Sequence, residues 1–231
     1  MRLALLVLLG VMATVTGALA QAPPPPAIEG PVHVVTYVEV RPSSVAEALA
    51  LLVRYRDTTR GQDGLLRCEI VQRMGQPGQL VVLEAWRDQA AFEAHGRTPI
   101  SGETREKLAA IRLAPIDQRV HGAFVIDPTA PAIARDAVYV VTHVDVIPPR
   151  KDDAIVALRR LAEASRAEPG HQRFDVVQQA SRPNHFTVIE IWTDARAAQA
   201  HAMAAPARDF RDALAPMTGA LYDERFYRCV E

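Results

Sequence analysis

The sequence predicts an α+β fold: two ferredoxin-like βαββαβ repeats packed sheet to sheet as an intramolecular pseudo-dimeric α+β barrel. Three observations carry that expectation. Residues 32–95 align with 138–201 without a gap, with 23 identities in 64 positions. Each copy opens on a Val-rich alternating stretch, VHVVTYVEV from Val32 and VYVVTHVDV from Val138, the period of a half-buried strand. Strand-, helix- and turn-like segments then follow in the same order in both copies, which is the order of the ferredoxin-like motif. Two copies are too few for a solenoid. A four-stranded sheet with helices on one face needs cover on the other, and the second copy can supply it.

The elements of the first copy illustrate both. After the Val32–Val40 strand, Pro42 and Ser43-Ser44 offer a turn and a helix start. Val45 to Thr59 reads as a helix with Val45, Leu49, Leu52, Val53 and Arg56 on one stripe. Gly64 closes the connection to a second strand, Leu65–Arg73, and Gly75 to Gly78 makes the turn into a third, Leu80–Trp86. Asp88 caps a helix through Gly96, Pro99 interrupts it, and a further helical segment runs to about Leu113 before a fourth strand, Arg119–Ile126. Alternation assigns the faces. Val32, Val34, Val38 and Val40 belong under the helices. His33, Val35, Tyr37 and Glu39, like Tyr139, Val141, His143 and Asp145, point toward the other sheet. Leu80, Val82, Glu84 and Trp86 share one face of the third strand.

Residues 1–20 read as a secretory signal peptide: Arg2, an apolar run, and the small-x-small site Ala18-Leu19-Ala20. Residues 21–30 form a Pro-rich lead-in, 31–127 the first domain, 128–136 a linker, and 137–231 the second domain. A periplasmic or secreted location follows, with no membrane association after cleavage. Charge is nearly balanced, 26 Lys+Arg against 27 Asp+Glu, and no basic run appears, so nucleic acid is not an expected partner. The 7 histidines show no H-x-x-x-H or Cys-His cluster, so no metal site is expected.

The chemistry-bearing unit is EAWRDQAAFEAH, Glu84 to His95, which returns as EIWTDARAAQAH, Glu190 to His201. Trp86 and Trp192 read either as walls for a flat aromatic substrate, joined by Glu39 and Asp145, or as core anchors. His95 and His201 read as proton-transfer groups or as helix-end residues that satisfy nearby carbonyls. A carboxylate on an apolar strand needs a partner. Glu84 and Glu190 are therefore either bases raised by burial or members of pairs with Arg67 and Arg173 on the neighbouring strand. Tyr37 and His143 hold equivalent positions with different chemistry, so two catalytic halves would be unequal; His143 could be oriented by Asp145.

The Val-rich first strand, the Gly before the second strand and E-x-W-x-D-x-x-A-x-x-A-H resemble the antibiotic biosynthesis monooxygenase (ABM) family of the dimeric α+β barrel superfamily. The resemblance covers both repeats. It implies the barrel, with the two copies standing for the subunits of a homodimer. It also implies a cofactor-independent monooxygenase that acts on a quinol or anthrone, or a haem-degrading relative in which the helix His binds iron. Family members often carry Asn on the first strand, where this chain has Thr36-Tyr37 and Thr142-His143. In such barrels the edge of one sheet meets the opposite edge of the other. Cys68 and Cys229 fall on those edge strands, so in an oxidising compartment a Cys68–Cys229 disulfide is expected.

Together these point to an exported, cofactor-independent monooxygenase-like protein for an aromatic or quinol-type small molecule. Its candidate proton-transfer groups are Glu84, Glu190, His95, His201, Tyr37 and His143. The alternative is a non-catalytic periplasmic binding protein for a hydrophobic or haem-like ligand. Either would be a monomeric pseudo-dimer, open to further self-association.

Overall fold

A computed structural model describes residues 27–128 and 132–231. The expected signal peptide and most of the Pro-rich lead-in lie outside the described residues, as does the centre of the linker. The first repeat contains β1 (Val32–Glu39), α1 (Val45–Thr59), β2 (Leu65–Arg73), β3 (Gln79–Trp86), α2 (Gln89–Gly96), α3 (Pro99–Ile111) and β4 (Asp117–Val125). The second contains β5 (Val138–Asp145), α4 (Lys151–Ser165), β6 (His171–Gln179), β7 (His185–Trp192), α5 (Ala195–Met203), α6 (Ala205–Leu214) and β8 (Asp223–Cys229).

The eight strands close into one antiparallel barrel in the order β1-β3-β2-β8-β5-β7-β6-β4. Two seams join the repeats edge to edge. β2 meets β8 through Val71 opposite Cys229, and β4 meets β6 through His121 opposite Gln179. Closure leaves no unpaired edge. The helices cover the outside.

The predicted faces hold. Val38, Val40, Leu80 and Val82 pack with α1 and α3 around Leu52 and Leu108. Val32 and Val34 pack with Trp86 and Ala91. Val35, Val71, Val81, Leu83, Tyr139 and Ile191 fill the barrel interior. The α1 stripe is rotated from the one predicted: Ala48, Leu52, Tyr55, Arg56 and Thr59 are its buried residues, and Val45, Leu49 and Val53 lie on the flank. That rotation brings Tyr55 over the sheet.

Gly64 and Gly170 set the helix–sheet spacing. Both have positive φ, +80° and +84°, and an added Cβ would lie 2.4 Å from the Ala91 Cβ and 2.5 Å from the Ala197 Cβ. Only glycine meets both demands. Asp88 and Asp194 then cap α2 and α5, each accepting a 2.8 Å hydrogen bond from the backbone N–H three residues on.

The expected disulfide does not form: Cys68 and Cys229 are both free thiols. The seam register sets Cys229 opposite Val71, three residues from Cys68. An odd separation puts the two thiols on opposite faces of the sheet. Cys68 packs outward against the α1 core.

Candidate functional site

In the first repeat the gap between α1, α3 and the sheet is a cavity of about 350 Å³. Its apolar wall includes Val38, Leu52, Val82 and Leu108, with Thr36, Ser101, Thr104 and Gln118 as polar points. Glu84 and Tyr55 border it.

Glu84 sits mid-strand on β3, where side-chain alternation aims it under the helices; it is only 4% exposed. Tyr55 Oη donates to Glu84 Oε1 at 2.8 Å and lies 2.6 Å from His95 Nε2. His95 Nδ1 lies 2.7 Å from Gln62 Oε1. The chain Glu84–Tyr55–His95–Gln62 thus joins β3, α1, α2 and the loop before β2. Trp86 stacks on His95, with ring centroids 4.7 Å apart.

Burial, partly offset by the Tyr55 hydrogen bond, pushes the Glu84 carboxyl up to about 7. Burial, with the nearby Arg105 charge, lowers His95 to about 4, so its imidazole is neutral at physiological pH. Burial first, and the Glu84 charge second, raise the Tyr55 phenol well above its ordinary value. Two proton arrangements satisfy these groups. With Glu84 protonated, it donates to Tyr55 Oη, Tyr55 donates to His95 Nε2, and His95 Nδ1–H donates to Gln62. With Glu84 ionised, Tyr55 donates to the carboxylate, His95 donates to Tyr55 through Nε2, and the Gln62 amide turns so that its NH₂ donates to Nδ1. A side-chain base with its charge state poised near neutrality is what acid–base chemistry needs.

The second repeat keeps Glu, Trp and His, but the recess in the equivalent place, lined by Arg211, Leu214, Thr218 and Tyr222, does not reach Glu190. Leu161 stands in the place of Tyr55, Phe174 in that of Cys68, Phe210 in that of Thr104 and Tyr222 in that of Ile116. Phe174, Phe210 and Trp192 belong to one buried cluster, and Tyr222 packs on Phe210 with centroids 6.4 Å apart. Without the tyrosine, His201 Nε2 reaches Glu190 directly at 3.4 Å, Trp192 Nε1 donates to Glu190 at 2.8 Å, and His201 Nδ1 lies 3.1 Å from Glu168. Burial pushes Glu190 up to about 8 and lowers His201.

The other expected pairings are corrected by the sheet register. Arg67 lies opposite Ala85, not Glu84, and faces the barrel interior. There Arg67 bonds Asp175 at 3.0 Å, while Arg173 and the Tyr139 hydroxyl bond Glu69 at 3.2 and 3.0 Å. Neither arginine serves Glu84 or Glu190. Tyr37, His143, Glu39 and Asp145 share that inner side, across the sheet from Glu84. Arg119 lies 5.0 Å over the Tyr37 ring. Asp145 holds His185 at 3.3 Å, and His185 in turn contacts His143 at 3.3 Å. Gln79 Nε2 donates to Glu39 at 3.4 Å. Trp86 and Trp192 are fully buried and act as core anchors; Trp86 backs His95 rather than lining the cavity.

The haem-ligand role does not fit the two helix histidines. Both ring nitrogens of His95 and of His201 already face protein partners within 3.4 Å, and both rings are buried.

Tyr55 and Gln62 carried no motif in the sequence. The available signal was the difference between the copies: Thr104 against Phe210 and Ile116 against Tyr222 mark where one half keeps a space that the other fills, and Tyr55 against Leu161 marks the hydroxyl that only one half has.

Similarity to known proteins follows the same outline. A Bacillus subtilis (strain 168) protein named "Putative monooxygenase YcnE" is 27% identical over 62 residues, 27% of this chain and 65% of that relative's length. A crystal structure of a "Putative monooxygenase" from Fusobacterium nucleatum superposes with a TM-score of 0.78 at 16% identity, covering 87% of this chain and 93% of the other. An "anthrone oxidase-like protein" gives 0.69 at 15% identity, covering 90% and 95%. At these identities the structural likeness is one of fold. Residues 31–107 and 137–213 each match the antibiotic biosynthesis monooxygenase family, and the chain belongs to that family as a tandem pair.

Proposed function

We propose that this protein is a monooxygenase that oxidises an aromatic, quinol- or anthrone-type small molecule in the cavity of its first repeat. The observation that carries the reading is Glu84: a carboxyl pushed up to about 7 by burial, bordering a cavity of about 350 Å³ and backed by Tyr55 and His95.

Glu84, ionised, takes a proton from an acidic ring methylene of the substrate. The carbon anion gives its electrons to dioxygen, a C–O bond forms, and the peroxide oxygen left outside is protonated. Loss of the remaining C–H proton and cleavage of the O–O bond then give a ketone and water. In sum, a CH₂ group and O₂ become C=O and H₂O, and dioxygen is the oxidant. Tyr55 follows the charge on Glu84, donating to the carboxylate when it forms and turning to His95 when Glu84 holds the proton. The apolar wall keeps water from the anion. The second repeat supplies the opposite half of the barrel.

We infer export as well, from the apolar run and small-x-small site in residues 1–20; fractionation of cells that express the full chain checks it. The functional test is oxygen uptake with a panel of anthrones and quinols, by the full chain and by Glu84→Gln. Uptake of one O₂ per ketone formed, lost in Glu84→Gln, is expected. Tight binding without uptake would replace the enzyme by a binding protein.

A further inference from the structure

Two arginines that hold no carboxylate stand together at the mouth of the cavity. Arg105 on α3 and Arg112 just beyond its end both line it. They are seven residues apart, which sets them on one helix face. Some arginines elsewhere hold carboxylates, Arg67 with Asp175, Arg87 with Asp63, Arg119 with Asp117 and Arg173 with Glu69; others, such as Arg41 and Arg97, are exposed and hold none among the described residues, but these do not line the cavity. Arg105 and Arg112 have no carboxylate within ion-pair distance among the described residues. Arg105 reaches only the Ser101 hydroxyl, at 3.4 Å. Its charge is nonetheless felt at Tyr55 and His95, so it stands close to the buried chain behind the cavity.

The second repeat again gives the contrast. Where the cavity is filled, the pair is dismantled: Arg211, in the place of Arg105, donates to the Ala202 carbonyl at 2.6 Å, and Thr218 replaces Arg112. Two guanidiniums without a carboxylate partner among the described residues occur together with the space for a ligand.

We propose that Arg105 and Arg112 form an anion subsite, and that the ligand of this cavity is an aromatic compound bearing a carboxylate. A planar guanidinium takes a carboxylate through paired N–H donors. The apolar wall takes the rings. With the carboxylate held at the mouth, the far side of the ring system is directed toward Glu84. This rests on the proposed function for the identity of the cavity, but it concerns recognition and is read by binding alone.

The experiment compares anthraquinone-2-carboxylate with anthraquinone-2-carboxamide, probes of the same shape that differ in charge. Binding to the full chain is measured by calorimetry, for the wild type and for Arg105→Met, Arg112→Met and the double variant. The carboxylate is expected to bind about tenfold tighter than the amide at low salt, as charge-assisted hydrogen bonds allow. The margin shrinks with added salt and disappears in the double variant, whose circular dichroism stays that of the wild type. Equal binding of the two probes, or a preference that survives the double substitution, overturns the anion subsite and leaves the aromatic cavity standing. Failure of both probes to bind the wild type overturns the subsite and the cavity reading together.

Discussion

Tyr55 Oη lies 2.6 Å from His95 Nε2 and bridges it to Glu84, which is otherwise 3.9 Å from that nitrogen. In the other repeat Leu161 replaces the tyrosine, and His201 and Glu190 meet directly at 3.4 Å. One hydroxyl therefore separates a carboxyl held beside a cavity from one locked in a core.

Tyr55→Phe tests that bridge. The variant keeps the ring and removes the shared hydroxyl, leaving Glu84 and His95 without their mutual partner. Oxygen uptake is expected to fall about 100-fold, the lower end of what a lost proton-transfer group costs. Unfolding in urea should show a loss of about 1–3 kcal/mol.

Turnover should rise with pH through about 7, the value to which burial pushes Glu84, because the ionised carboxyl is the base. Measured kcat in buffers from pH 5 to 9 checks it. A rate that falls over that range would assign the base elsewhere.

Glu190 gives a stability signature. Its folded value, about 8, lies above the ordinary 4.5. The folded state therefore holds a proton that the unfolded state has lost, and the contribution is fully present below 4.5 and lost as pH rises through 8. His33 and His143 run the other way: burial lowers both from 6.5 to about 4, so their contribution is present above 6.5 and lost as pH falls through 4. Urea midpoints of the wild type and Glu190→Gln at pH 5, 7 and 9 should show the wild type losing ground to the variant as pH rises.

Filling the first cavity as the second is filled should silence it. Thr104→Phe copies Phe210; ligand affinity is expected to drop by about tenfold or more, with stability within about 1 kcal/mol of the wild type. Phe210→Ala should do the reverse, costing about 3–5 kcal/mol while the folded protein keeps its turnover. Calorimetry and thermal unfolding of both variants decide the matter.

The two thiols should label separately. Cys229 is exposed and Cys68 is partly buried, and burial raises the Cys68 thiol strongly, so iodoacetamide on the native protein should modify Cys229 first. A non-reduced digest should give two separate cysteine peptides; a single linked peptide would contradict the opposite-face arrangement.

The sequence by itself determined the duplication, the order of the strands, the faces of the first and third strands of each repeat and the Asp caps of the two short helices. These follow from periods of two and 3.6 residues and from local hydrogen bonds, which act within a few positions of each other. Even the burial of Glu84 beneath the helices was legible, since it shares a face with Leu80 and Val82. Only the tertiary structure decided what Glu84 meets. Tyr55 lies 29 residues from it in the chain and His95 lies 40 residues from Tyr55, and their meeting depends on how α1 is rotated on the sheet, which no strand or helix period specifies. The same holds for Arg67 and Arg173, turned inward by the register, and for the cysteines, whose strands pair while their side chains point apart. The cavity is of this kind too: it exists in one half because Thr104 and Ile116 leave a space that the larger Phe210 and Tyr222 close, and a space belongs to the packing of several elements rather than to any one of them.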